Sequence, residues 1–134
     1  PAEITGLRSL RELYLQKNQL QSLPVDLGRL RNLRLLAIQG NQISELPSSI
    51  VELDQLEILL LGENPLQSLP EGLGQMSRLE WLSMSETPVQ KMPESLFDLE
   101  SLQRLDLVLT PAAGVEGFAE RVHHRWPEIE VHIA

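Results

Sequence analysis

Residues 13–24 read LYLQKNQLQSLP, an asparagine set among four leucines with Leu-Pro closing the run. The stretch returns as LLAIQGNQISELP at 35–47 and ILLLGENPLQSLP at 58–70, and more loosely as WLSMSETPVQKMP at 81–93. Asn18, Asn41 and Asn64 share one place in it, with Thr87 fourth and Thr110 fifth. Pro1, Pro24, Pro47, Pro70 and Pro93 share another, and each step is 23 residues. A fixed period of this size is the mark of a repeat architecture, in which each unit is one supersecondary element.

Within a unit the pattern changes once. Leu10, Leu33, Leu56, Leu79 and Leu102 open the units, followed three places on by Leu13, Leu36, Leu59, Leu82 and Leu105. Two places further stand Leu15, Ile38, Leu61, Met84 and Leu107, and this apolar-variable-apolar alternation predicts a short strand. After the proline, apolar residues fall three apart: Ile4 and Leu7, Leu27 and Leu30, Ile50 and Leu53, Leu73 and Met76, Leu96 and Leu99. That spacing fits a helical or 3₁₀ turn, or a loosely wound segment, and a residue with fixed φ and no donor suits its entry.

These residues resemble the leucine-rich repeat family, L-x-x-L-x-L-x-x-N-x-L-x-x-L-P-x-x-L-x-x-L-x-x, in its 23-residue Leu-Pro form known from intracellular and bacterial proteins. The resemblance implies an α/β solenoid: a right-handed superhelix with a concave parallel β-sheet of about six short strands, one per unit. It also implies that Asn18, Asn41, Asn64, Thr87 and Thr110 turn inward as a hydrogen-bonded ladder after each strand. A threonine brings only a hydroxyl, so the ladder is expected to weaken in the last units, where Pro65, Pro88 and Pro111 follow the ladder residues and stiffen the bend.

The chain, 1–134, reads as a single domain. Residues 1–9 form the back half of a truncated unit, and 10–32, 33–55, 56–78 and 79–101 are full units. Residues 102–125 make an atypical last unit with a helix over 115–124, where Phe118, Val122 and Trp126 fall on one face. Residues 126–134 are a capping strand: Trp126, Ile129 and Val131 align with Leu102, Leu105 and Leu107, and a sixth strand is expected over 128–133. The first strand, near Glu12–Gln16, is expected to be an open edge and a place for self-association. A chain that starts without methionine and inside a unit leaves room for residues upstream.

The resemblance also implies that the variable strand residues project from the concave face, where partners of such proteins usually bind. The first such column is Glu12, Leu35, Ile58, Trp81, Arg104, Glu128; the second is Tyr14, Ala37, Leu60, Ser83, Asp106, Glu130. Tyr14, Leu35, Ile58, Leu60 and Trp81 would form one apolar patch facing solvent, which the repeat itself does not require. Arg104, Asp106, Glu128 and Glu130 would make a charged end beside it, with Glu63 and Glu86 at the rim. Exposed apolar area of this kind marks interaction sites, with Trp and Tyr as favoured anchors. These nine residues, Tyr14, Leu35, Ile58, Leu60, Trp81, Arg104, Asp106, Glu128 and Glu130, are the expected partner site. Its partner would be a protein or peptide carrying an apolar anchor flanked by basic groups.

Composition narrows the classes further. A net charge of −8 argues against nucleic acid and against anionic membrane surfaces, both of which call for clustered Lys and Arg. The absence of cysteine removes disulfides, thiolate metal sites and cysteine nucleophiles from this chain, including the chemistry of bacterial ubiquitin-ligase effectors that carry a repeat domain. No apolar run reaches the roughly 20 residues of a membrane span. His123 and His124 are adjacent and so diverge by about 100° on a helix, a poor chelate, with His132 nearby. No phosphate loop, nucleophile elbow or H-E-x-x-H motif is present. The expectation is therefore a non-enzymatic protein-interaction module without cofactor or metal. It would be cytoplasmic, or secreted into a host cell if it belongs to a bacterial effector. The alternative is a recognition domain of a larger enzyme or effector whose catalytic part lies outside this chain.

Overall fold

The computed structural model describes residues 7–133; the apolar turn expected at Ile4 lies outside them. Six strands form one sheet in sequence order: β1 (Glu12–Tyr14), β2 (Leu35–Ala37), β3 (Ile58–Leu60), β4 (Trp81–Ser83), β5 (Arg104–Asp106) and β6 (Glu130–His132). All neighbours are parallel, and from β1 to β5 they run in register at a step of 23 residues. Each is three residues long, β1 and β6 being shorter than the sequence suggested. Parallel neighbours need a crossover, and strand twist makes that crossover right-handed.

The crossovers carry 3₁₀ turns at Leu27–Arg29, Ser48–Glu52, Leu73–Gln75 and Glu94–Asp98. The spacing of three explains them: Leu30, Leu53, Met76 and Leu99 donate to the carbonyls three residues back, each at 3.1 Å. Pro47 and Pro93, at φ −64 and −63, lead directly into two of these turns. Strands stack about 4.8 Å apart, closer than side-chain-bearing turns, so the sheet takes the inner, concave side.

The core is a column of aliphatic side chains between the two layers. Leu33, Leu36, Ile38 and Ile43 of the second unit are fully buried, as are Leu56, Leu79, Leu82 and Leu105 further along. Their counterparts in the first unit, Leu10, Leu13, Leu15 and Leu20, are only half-buried, because nothing described stacks on their outer side. Each unit shields the next, which is why no single unit could stand alone.

The asparagines form the expected ladder. Asn41 donates to Leu15 O and Ile38 O at 2.9 and 2.8 Å and accepts from Leu20 N at 3.1 Å. Asn64 donates to Ile38 O, Leu61 O and Gly62 O and accepts from Ile43 N. Thr87 makes a single bond, to Met84 O at 2.8 Å, and Thr110 reaches that same carbonyl at 2.9 Å. Asn18, at the open end, bonds only within its own turn and is exposed. The residue before each ladder position is left-handed: Lys17, Gly40, Glu63, Glu86 and Leu109 have φ between 56 and 74. Gly40 adopts this conformation freely; the other four sit where an L side chain is disfavoured.

Two features of the C-terminal end differ from expectation. The helix α1 spans Phe118–Arg125 rather than starting at Val115, because Gly117 takes a left-handed φ of 84 and an α-helix cannot pass through it. Pro111–Gly114 forms a separate 3₁₀ turn. Phe118, Val122 and Trp126 are buried on one face, as their spacing suggested. The second difference is the register of β6, in which Glu130 pairs with Arg104, Val131 with Leu105 and His132 with Asp106. Trp126 does not take the place of Leu102. It stacks on Phe97 at 5.7 Å between ring centroids, and its indole N–H donates to Leu99 O. The α-helix consumes more residues than a 3₁₀ turn, so the step from β5 to β6 is longer and the strand slips by two. A slip of two preserves which side chains face the core.

Candidate functional site

The register fixes the neighbours on the concave face. The first column runs Glu12, Leu35, Ile58, Trp81, Arg104 and then Glu130; the second runs Tyr14, Ala37, Leu60, Ser83, Asp106 and then His132. Glu130 thus stands beside Arg104 rather than beside Asp106. Glu128 lies in the turn before β6, exposed and outside the columns. His132 fills the place that the sequence alignment gave to Glu130.

Leu35, Ile58 and Leu60 are half-buried on the solvent side of the sheet, although their strand partners Leu36 and Leu59 already fill the core side. Ala37, buried between Tyr14 and Leu60 in its column, joins the apolar strip across β2. Tyr14 is the exposed end of that strip at 55%, and its hydroxyl donates to Glu12 Oε1 at 3.1 Å. That bond to a carboxylate holds the phenol proton on and raises the Tyr14 pKa above its ordinary value.

Trp81 is not a free anchor beside a separate charged end; the two are one cluster. Its indole N–H donates to Asp106 Oδ2 at 2.7 Å. Arg104 Nε lies 3.2 Å from both Asp106 oxygens, and the guanidinium sits 4.4 Å over the Trp81 ring. His132 Nε2 is 4.0 Å from Asp106 Oδ1 and 2.9 Å from Glu130 Oε1. The side chain of Asp106 is 10% exposed, so a buried carboxylate orients a ring and a guanidinium, while Glu130 holds the imidazole. Such a cluster has few rotamers left to lose, which lowers the ordering cost of binding against it.

Of the side chains on the two rims of the strip, only Glu63 and Glu86 are expected there from the sequence. Arg11, Arg34, Glu57, Glu80 and Gln103 precede the first column by one residue, and their carbonyls and amides extend the ladder. The opposite rim is the left-handed series Lys17, Gly40, Glu63, Glu86 and Leu109. The leading rim is the column just before each strand, and the trailing rim is the column just before each ladder residue.

The remaining titratable groups do not converge. His123 and His124 are exposed in the last turn of α1, and among the described residues no group of His, Asp and Glu is placed to hold a metal ion. Among the described residues, no helix is long and apolar enough to cross a membrane.

Comparison with known proteins agrees with this geometry. A family model described as a leucine-rich repeat region matches residues 2–120. The chain belongs to the leucine-rich repeat family. A solved leucine-rich repeat protein of Leptospira interrogans superposes with a TM-score of 0.76 at 31% identity, covering 99% of this chain. This leucine-rich repeat chain spans 39% of that protein's length. Among curated proteins no significant match is found.

Proposed function

We propose that this leucine-rich repeat chain is a non-catalytic module that binds a protein or peptide on its concave face, centred on Leu35, Ile58, Leu60 and Trp81. One observation carries the reading. Three large aliphatic side chains stand half-exposed in adjacent places on the solvent side of a sheet whose other side already fills the core. The repeat does not call for apolar residues at these places, and the area they leave exposed is what an interface would cover. The locked Trp81–Arg104–Asp106 cluster beside them supplies a rigid aromatic anchor of the kind that dominates interface energetics. Tyr14, Glu130 and the exposed Glu128 form the periphery of this surface.

The test is a pull-down from native lysate, comparing the native chain with a Trp81→Ala, Ile58→Ala, Leu60→Ala variant after circular dichroism shows both folded. A protein captured by the native chain and lost from the variant supports the reading. Equal capture by both moves the function off the concave face.

A second reading concerns the larger context. The chain matches only part of a longer bacterial relative, which favours a recognition domain, in a cytoplasmic protein or an effector, serving chemistry encoded elsewhere. A third reading is a contact between copies: among the described residues β1 pairs only with β2, and Leu13 and Leu15 beside it are half-buried. A sedimentation mass independent of concentration across the micromolar range would remove that contact.

A further inference from the structure

The two rims of the apolar strip change sign at the same strand. Along the leading rim, Arg11 and Arg34 border β1 and β2, and Glu57 and Glu80 border β3 and β4. Along the trailing rim, Lys17 borders β1, Gly40 borders β2, and Glu63 and Glu86 border β3 and β4. Both rims then turn uncharged beside β5, with Gln103 and Leu109. None of these seven charged groups takes part in an ion pair among the described residues. The asymmetry reaches the whole chain: residues 1–34 hold six Lys and Arg against three Asp and Glu, and residues 35–134 hold five against sixteen.

Resting on the concave-face reading above, we infer that the partner is a linear protein segment of fixed polarity. It lies across the strands with apolar side chains on Leu35, Ile58 and Leu60. It places Lys or Arg between Glu57, Glu63, Glu80 and Glu86, and Asp or Glu between Arg11, Arg34 and Lys17.

Electrostatic complementarity at short range sets the direction. Four carboxylates from two rims flank Ile58, Leu60 and Trp81; the rims are six residues apart along each unit, at most about 20 Å, so a cation midway above β3–β4 is about one Debye length, roughly 10 Å, from all four. The same cation above β1–β2 meets Arg11, Arg34 and Lys17 against the single carboxylate of Glu12, which already accepts from the Tyr14 hydroxyl, and is repelled on balance. A segment laid in reverse therefore faces like charge at both ends, which selects a single direction as well as a composition. The centres of the two charged zones are two strand spacings apart, roughly 10 Å. An extended chain rises about 3.3 Å per residue, so about three to five residues separate the acidic and basic groups of the partner. Nucleic acid fails the test of the acidic zone, which flanks the most anchored part of the strip.

The experiment selects a random 12-residue display library on the immobilised native chain, then measures a synthesised consensus peptide by fluorescence anisotropy at low and high salt. The expected clones join an apolar centre to Lys or Arg on one side and Asp or Glu on the other. The consensus peptide should weaken at least tenfold on a Glu57→Lys, Glu63→Lys, Glu80→Lys, Glu86→Lys variant. It should weaken less on the matching Gln variant, and should lose affinity in high salt. Clones that bind the Trp81→Ala, Ile58→Ala, Leu60→Ala variant equally well would overturn the concave-face reading itself. Clones lost from that variant but indifferent to charge reversal would leave the concave face standing and overturn the polarity. A library that yields no clone, while the pull-down still captures a protein dependent on the strip, would overturn the linear segment.

Discussion

Trp81 donates its indole N–H to Asp106 Oδ2 at 2.7 Å, across the gap between β4 and β5. Asp106 also accepts from Arg104 and faces His132, so removing its carboxylate strands an indole and a guanidinium at once. The indole is partly buried and the guanidinium is 37% exposed, so water replaces part of what the carboxylate supplied and the loss is less than a full desolvation penalty for each. Asp106→Ala is therefore expected to cost about 1–2 kcal/mol, and Asp106→Asn, which keeps an acceptor, about 0.5–1 kcal/mol. Urea unfolding checks both, and a loss below about 0.5 kcal/mol for the alanine variant would show that the cluster acts independently of fold stability.

The sequence made the solenoid legible because its period is long, regular and chemically redundant: each core place is written five times. The same redundancy exposed the concave columns from β1 to β5. Where the copies stop agreeing, the reading failed. Trp126 matches the L-x-x-L-x-L pattern, but a ring that size finds a better seat on Phe97, and the strand that follows pairs with β5 two residues later than the pattern places it. The tie between Trp81 and Asp106 was also invisible, since it joins two columns diagonally and no periodicity encodes it. The left-handed bend shows in the sequence only as Gly40, because Lys17, Glu63, Glu86 and Leu109 carry no glycine signature.

The half-buried first unit sets a stability gradient. Leu13 and Leu36 hold the same place in consecutive units, but Leu36 is fully buried and Leu13 is not. Leu36→Ala should cost about 3–4 kcal/mol from lost transfer energy plus a cavity, and Leu13→Ala about 1 kcal/mol. Equal losses in thermal or urea unfolding would mean that the open end is covered in solution.

Leu109 is 72% exposed and left-handed at φ 57, so its side chain contributes little burial while its backbone is disfavoured. Leu109→Asn, which tolerates this conformation, should stabilise by about 0.5–1 kcal/mol, whereas Gly40→Ala at φ 74 should cost about 1 kcal/mol. A stabilisation absent from Leu109→Asn would indicate that Leu109 is held by contacts outside the described residues.

Arg121 donates to both oxygens of Glu94, at 3.2 and 2.7 Å, tying α1 to the 3₁₀ turn Glu94–Asp98. This bond holds the Glu94 carboxyl below its ordinary value of 4.5. With a depressed folded-state pKa, the contribution is complete above 4.5 and disappears as pH falls through the folded value. Both groups are exposed, so the effect is local and is best read by NMR titration of the Glu94 carboxyl. The midpoint should lie below 4.5 in the native chain and move back towards 4.5 in Arg121→Gln. Coincident midpoints would show that the pair is not populated in solution.

The ladder supplies the sharpest contrast, because Asn64 makes four bonds where Thr87 makes one. By the repeat, an asparagine at 87 reaches the carbonyls of Leu61 and Met84 and accepts from the amide of Leu66, as Asn64 does for Ile38, Leu61 and Ile43. Pro88 follows Thr87 as Pro65 follows Asn64, so the backbone already suits the longer side chain. Two added hydrogen bonds in a buried place, less the fixing of one side chain, predict a gain of about 1 kcal/mol for Thr87→Asn, against a loss of about 2–4 kcal/mol for Asn64→Ala. Amide hydrogen exchange at Leu66 localises the effect: protection should rise in Thr87→Asn and stay unchanged in Thr87→Ser, which has no amide. A gain in stability with no change at Leu66 would mean that the asparagine acts through the bend and not through the ladder.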